Sequence, residues 1–185
     1  MSTPHLSIFA AALLLASCAP SIPYVQAPKP EHGSAPGIKY QRISDATDHE
    51  RRYMVVFAPG DEILGGLTDF AVQEHLGAAQ ITAIGGVRDA RLGFFDKERK
   101  AFREVTIGEQ AEVTSLVGDV AVLGDTPVVH VHMNVALPDG SVHGGHLLAA
   151  HVWPTLEVMI AESPHPLQKQ HDAERGLDII VPQGS

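Results

Sequence analysis

Histidines in two short segments are the residues of this chain whose type and spacing could do chemistry. His130 and His132 are one residue apart in a run that alternates apolar and polar residues, so a β-strand would place both imidazoles on one face. A third histidine, His146, follows two glycines on the segment that would form the partner strand. Because imidazole nitrogens are common ligands of transition metals, the spacing predicts a metal site with three histidine ligands, and zinc is the expected ion.

The position of the third histidine depends on the register between the two strands. Side chains alternate with a period of two, so His146 faces the same side as His132 only if the cross-strand register has even parity. A three-residue loop or a bulge would give that parity. The alternative is that His130 and His132 are half-exposed strand residues hydrogen-bonded to their neighbours, with His146 filling a turn. His143 and His151 have the other parity, which favours ordinary surface roles.

Two carboxylates in apolar segments are candidates for a role beside the histidines. Glu112 opens one predicted strand and Glu157 lies inside another, where a charged group must face solvent, a cation or another polar group. An ion held by three histidines keeps one open coordination position. Either glutamate could bind there as a fourth ligand, or it could act as a general base beside the ion. The alternative for each is an outward-facing strand position. Since only neutral imidazole binds a metal, binding is expected to weaken below about pH 6.

The charge of the C-terminal part of the chain bears on the class of partner. Residues 53–185 contain eight lysines and arginines against eighteen aspartates and glutamates, which gives a formal charge of −10. Nucleic-acid binding draws much of its affinity from cations that neutralise phosphates. The composition therefore disfavours nucleic acid as a partner, whereas it is compatible with a small-molecule ligand.

The elements that would position the histidines are a sheet and one main helix. Apolar residues spaced by three and four predict a helix over residues 62–76, capped by Asp61 and containing Gly65-Gly66, for which a packing role is expected. A polar connection at 96–100 predicts a hairpin, and Pro-Asp-Gly-Ser at 138–141 is the strongest turn signal. The predicted strands are 53–58, 79–84, 90–95, 101–107, 112–116, 119–123, 128–137, 142–149, 156–161 and 178–181. The strands 112–116 and 119–123 are predicted to pair with each other across Gly118. The pattern predicts an α+β domain with a largely antiparallel sheet.

The N-terminal residues resemble an export signal for a bacterial lipoprotein. Residues 8–15 are apolar without interruption, which is shorter than the roughly 20 residues that span a bilayer. The following Ala-Ser-Cys resembles the lipobox in which a cysteine, here Cys18, receives a lipid. We predict a signal peptide over 1–17, a lipid-anchored flexible linker over 18–50 and one domain over 51–185. The expected location is the bacterial cell envelope, with the membrane contacted through the lipid alone.

The order of several short motifs along residues 53–181 resembles that of the plants-and-prokaryotes-conserved (PPC) domain family. The motifs are GDEIL at 60–64, IGGV at 84–87, LGFFD at 92–96, EVTSLVG at 112–118, HVH at 130–132 and DGSVHGGHL at 139–147. The resemblance implies an α+β fold dominated by an antiparallel sheet and assembly as a homotrimer. It also implies a metal ion held by three histidines, which correspond to His130, His132 and His146.

The family resemblance adds a further class of function. Plant members carry AT-hooks and act on chromatin, and prokaryotic members are often labelled DNA-binding. This chain has no Arg-Gly-Arg-Pro hook and an acidic domain, which argues against that role. The leading prediction is an exported, lipid-anchored trimer that acts as a metal-binding module. A metal-assisted enzyme on a small molecule is the alternative, and a DNA-binding regulator is the second alternative.

Overall fold

The computed structural model describes residues 23–45, 47–182 and 184. The predicted signal peptide over 1–17 and the predicted lipid attachment at Cys18 lie outside the described residues. The described residues form a β-rich fold with one α-helix, which confirms the predicted combination of a largely antiparallel sheet and one main helix. Within this part of the chain, no helix is long and apolar enough to cross a membrane.

Ten strands and the helix make up the described part of the chain. They are β1 (Tyr24–Val25), β2 (Lys39–Arg42), β3 (Arg52–Phe57), α1 (Ile63–Gln73), β4 (Ala79–Asp96), β5 (Ala101–Ile107), β6 (Ala111–Leu123), β7 (Thr126–Ala136), β8 (Val142–Glu162), β9 (Gln168–Asp172) and β10 (Leu177–Ile180). The sheet order is β1-β5-β4-β6-β7-β8-β3-β2, with β9 beside β6 and β10 beside β9. The pairing of β9 with β6 is parallel, and the other pairings of these strands are antiparallel.

The long strands β4, β6, β7 and β8 form a closed circuit of pairings. Strand β4 pairs with both β6 and β8, and β7 joins β6 to β8. Because each strand pairs with two others of the four, their buried side chains share one core, and α1 packs on β7 and β8. The largest fully buried residues of this core include Phe57, Leu67, Leu92, Met133 and Leu147.

Three long strands each replace two predicted shorter ones. Strand β4 contains both 79–84 and 90–95, and β6 and β8 are likewise continuous. A Cβ on Gly118 would overlap the backbone carbonyl oxygen of His130 on β7, and at Gly85 (φ +152°) β4 shifts register against its neighbours. These glycines permit close approach and bulges, not turns, so the predicted pairing across Gly118 is wrong.

Helix α1 has a different N-terminal cap from the one predicted. The cap is Glu62, whose carboxylate accepts hydrogen bonds from two backbone N–H groups of the first turn. The carboxylate of Asp61 instead accepts from the backbone N–H groups of Ala58 and Gly37, each at 2.9 Å. The prediction of Asp61 as the cap is therefore wrong, because that side chain holds the loop before the helix.

The two glycines of α1 have the packing role that the sequence predicts. A Cβ on Gly65 would overlap the backbone carbonyl oxygen of Glu31, and one on Gly66 would overlap the ring of Phe57. The chain before the domain therefore lies directly across the helix, and it continues into β2, which pairs with β3. These contacts hold residues of the predicted linker (18–50) against the domain, and β1 within the same segment pairs with β5.

The cap at Glu62 should contribute measurably to stability. The residue is 9% exposed, and its carboxylate also accepts from the backbone N–H of Ala150 at 3.2 Å. Since Glu62→Ala leaves three donors without this acceptor, we expect the free energy of unfolding to fall by about 2 kcal/mol in urea denaturation. The control is Glu98→Ala, at a side chain that is 80% exposed, and its expected change is under about 0.5 kcal/mol. Equal changes would show that the cap does not stabilise the fold.

Candidate metal centre

The β7–β8 hairpin sets the register on which the three histidines depend. The predicted turn at residues 138–141 is confirmed, and the backbone N–H of Leu137 donates to the carbonyl oxygen of Ser141 at 2.9 Å across it. Beyond the turn the strands pair so that His132 lies directly opposite His146. The even parity that the third ligand requires is therefore present.

The imidazoles of His130, His132 and His146 form one cluster, on the face of β7 opposite the buried Val131 and Met133. Each ring offers a nitrogen, and the three nitrogens lie within 4.8 Å of one another. The three pairs of ring centroids are 5.1, 5.2 and 5.4 Å apart. Nitrogens bound to one tetrahedral zinc ion would be about 3.4 Å apart, so small side-chain rotations would suffice for a common ion. The three histidines could therefore hold a metal.

The surroundings of His146 favour the neutral imidazole that a metal requires. Its ring stacks on Phe102 of β5, with centroids 4.6 Å apart and planes inclined by 16°. Burial, assisted by the positive charges of His130, His132 and Lys169, lowers the pKa of His146 to about 4. Burial and then the charge of His130 also lower the pKa of His132. Both rings are therefore neutral at pH 7 and able to bind a metal.

Three residues near the cluster were not found from the sequence. Phe102 stacks on His146, Asp119 lies opposite His130 across β6 and β7, and Lys169 lies on β9, a strand that the sequence pattern did not predict. A signal for Asp119 does exist, because it is a carboxylate within an otherwise apolar segment. Phe102 and Lys169 have no local signal, since only the strand order brings them to the site.

The two glutamates predicted as ligands or bases are not brought to the histidines. Glu112 is exposed and pairs with Ala136, four residues beyond His132 on β7, or about 13 Å along the strand. Glu157 is exposed and pairs with Ile84 of β4, toward the other end of β8. Neither belongs to the histidine cluster. Both have the outward-facing positions that the sequence left as the alternative.

His143 and His151 also lie outside the cluster, as their strand parity predicts. His143 pairs in register with Val135 of β7. His151 is occupied elsewhere, since its Nδ1 atom is 2.7 Å from Oδ1 of Asp89. Because His143 lies on the same strand as His146, it provides a matched comparison position for substitution experiments.

Comparison with known protein families identifies the domain. A model of the Plants and Prokaryotes Conserved (PCC) domain matches residues 44–164, more than half of the chain. The chain belongs to this family. PCC and PPC are two abbreviations for the same family, so the family membership predicted from the sequence motifs is confirmed. The matched residues include all three histidines of the cluster.

Solved structures share the PCC-domain fold. A Bacteroides thetaiotaomicron protein, named provisionally as DNA-binding, superposes with a TM-score of 0.72 and 25% identity, over 78% of this chain and 97% of that one. A metal-containing protein from Archaeoglobus fulgidus superposes with a TM-score of 0.66 and 27% identity, over 78% of this chain and 98% of that one. Each match covers nearly all of the solved chain of the relative.

A curated relative shares only a segment with this chain. It is the bifunctional protein GlmU of Synechococcus sp. (strain JA-3-3Ab), which is 29% identical over 129 residues. The match covers 68% of this chain and 20% of that protein. The chain thus spans about a fifth of the length of the curated relative that it matches, and the similarity concerns that part alone.

The low pKa of His146 should make the stability of the metal-free protein depend on pH. The folded state binds this proton less readily than the unfolded chain, whose histidines titrate near pH 6.5. The stabilising contribution of the neutral ring is therefore complete above about pH 6.5 and declines as the pH falls toward 4. We expect the urea midpoint to fall over this interval, and to fall less in His146→Phe than in the control His143→Phe. An NMR titration should place the His146 midpoint near pH 4, and a midpoint near 6.5 would contradict the prediction.

Proposed function

We propose that the PCC domain of this chain binds a divalent metal ion, zinc, through His130, His132 and His146, and acts as a binding module. The observation that carries the proposal is the convergence of three imidazole nitrogens within 4.8 Å on two strands of fixed register. Zinc accepts imidazole ligands and the tetrahedral geometry that three histidines and one further ligand provide. The metal-containing relative from Archaeoglobus fulgidus supports the proposal.

The positions of the predicted proton-transfer residues favour a module over an enzyme. Three neutral imidazoles would leave the bound ion its full positive charge and one open position for a small-molecule ligand. His132 is exposed, so solvent reaches the cluster from its side. The enzyme alternative, as the sequence predicts it, also assigns proton transfer to a glutamate beside the ion. The candidates for that role, Glu112 and Glu157, lie away from the cluster, which disfavours the enzyme alternative.

The metal content of the purified protein tests the proposal. After dialysis against zinc, we expect about one ion per wild-type chain by mass spectrometry, because three ligands and an open position complete a tetrahedral site. His132→Ala and His146→Ala should retain little metal, since each removes one of the three ligands. The matched control His143→Ala should retain the wild-type amount. Equal metal in all four proteins would eliminate the site.

DNA binding is the second candidate, favoured by the provisional name of the Bacteroides thetaiotaomicron relative. The charge of −10 over residues 53–185 argues against it. Several of the basic residues also form ion pairs with carboxylates, among them Arg91, Arg99 and Arg175. These ion pairs would compete with contacts to phosphates. We therefore expect no anisotropy change for labelled duplex DNA at about 50 mM salt. Saturable, salt-sensitive binding would restore this candidate.

We further propose that the protein is exported and anchored in the bacterial cell envelope by a lipid on Cys18. The support is the short apolar run followed by Ala-Ser-Cys near the N-terminus. In cells that express the full chain, wild type should fractionate with membranes, and Cys18→Ala should not, because the variant lacks the thiol that receives the lipid. Identical fractionation of the two proteins in the cytoplasm would overturn the proposed export.

A homotrimer is the proposed assembly, as the family resemblance implies. Three large apolar side chains support it, because Ile84, Phe94 and Trp153 are 61%, 65% and 48% exposed in the single chain. An interface with further copies would remove this apolar surface from water. Sedimentation equilibrium should give three times the chain mass, and a monomer at micromolar concentration would contradict the proposal.

A further inference from the structure

Asp119 is a carboxylate beside the histidine cluster with an unmet hydrogen-bonding capacity. It pairs in register with His130 across β6 and β7, and its Oδ2 atom is 3.6 Å from Nδ1 of His130. Its Oδ1 atom is buried and has no hydrogen-bond partner within the part of the chain that the structure describes. A buried carboxylate oxygen without a donor is costly, so this side chain needs a partner close by.

Lys169 is the buried cation next to this carboxylate. Its side chain is 5% exposed, and its Nζ atom is 3.9 Å from Oδ1 of Asp119, which is beyond hydrogen-bond distance. Strand β9 runs parallel to β6 with Lys169 opposite Leu123, so the side chain reaches back along β6 toward Asp119. The attraction between the two opposite charges holds the side chains near each other, but it does not replace the missing hydrogen bonds.

The ring of His130 faces the other carboxylate oxygen of Asp119, since Nδ1 is 3.6 Å from Oδ2, and a small side-chain rotation would bring an Nδ1–H group within hydrogen-bond distance of the carboxylate. An imidazole has two nitrogens, and a carboxylate that accepts from one of them fixes the proton there and leaves the lone pair on the other for a metal. If Asp119 accepts the proton of Nδ1, the free lone pair of the ring is on Nε2. Such a carboxylate also orients the ring and increases its basicity as a ligand.

We propose that Asp119 is a positioning residue for the metal site: it accepts the Nδ1 proton of His130, so that Nε2 binds the metal, and Lys169 holds Asp119 in place. This inference rests on the proposed function. It assigns Asp119 a role behind the ligands and not among them, which agrees with its absence from the group of mutually close donor atoms. The site would then consist of three ligands supported by a partly buried ion pair.

Zinc affinity of the full chain tests the inference. Asp119→Asn keeps the shape of the side chain and removes its charge, and we expect the Kd for zinc to rise about 10- to 100-fold, because the proton of His130 is no longer held at Nδ1. The matched control is Asp125→Asn in the exposed turn between β6 and β7, which should bind zinc as wild type does. If Asp119→Asn is unstable because Lys169 is left unpaired, the double variant Asp119→Asn/Lys169→Met removes both charges and should show the same loss.

A direct view of the proton separates positioning from mere structural support. In metal-free wild type at pH 7.5, a long-range ¹H–¹⁵N spectrum should show the ring proton of His130 on Nδ1, and Asp119→Asn should increase the share on Nε2. A wild-type proton on Nε2, or equal zinc affinity in wild type and Asp119→Asn, would overturn the inference and leave the three-histidine site standing. Absence of zinc binding in wild type would instead overturn the proposed function, and the inference with it.

Discussion

The pairing of His132 with His146 across β7 and β8 is the constraint on which the site depends. A register shift of one residue would turn His146 toward the buried face of the sheet and separate it from the other two histidines. The turn beyond Leu137 fixes the register at one end. Gly145 fixes it from the side, because a Cβ there would overlap the backbone carbonyl oxygen of Gly93 on β4. Gly145 therefore allows the close approach of β8 to β4 and also helps to define the register of β8 against β7.

The same close approach explains why His146 is neutral. Gly93 pairs in register with His146, and its lack of a side chain leaves room for the ring of Phe102 from β5. That ring lies over Gly93 and stacks on the imidazole, which removes one face of the histidine from water. Desolvation disfavours the charged form, so the low pKa of His146 follows from a glycine one strand away. The packing of Gly93 and Phe102 therefore determines the protonation state of His146.

The parts of the molecule that sequence could predict are those with local physical causes. Alternation around His130 and His132 predicts a strand with both rings on one face, and Pro-Asp-Gly-Ser predicts the turn that brings back His146. Glycine was the main source of error, because Gly118 signals a turn locally but serves a close strand contact in the fold. Lys169 could not be placed, since its neighbours lie on a strand reached only through the parallel pairing of β9 with β6.

Charge and donor type act on different scales in this domain. The excess of acidic residues over residues 53–185 attracts every divalent cation toward the surface and repels polyanions, but it does not distinguish one metal from another. The distinction would arise at the cluster, where the donors are imidazole nitrogens on a hairpin of fixed register. Calcium and magnesium prefer oxygen ligands, so they would stay with exposed carboxylates, whereas zinc would gain from imidazole. In the proposed site, the carboxylate of Asp119 would add negative charge next to a bound ion without adding an oxygen ligand, which would strengthen cation binding and preserve the preference for nitrogen-seeking metals.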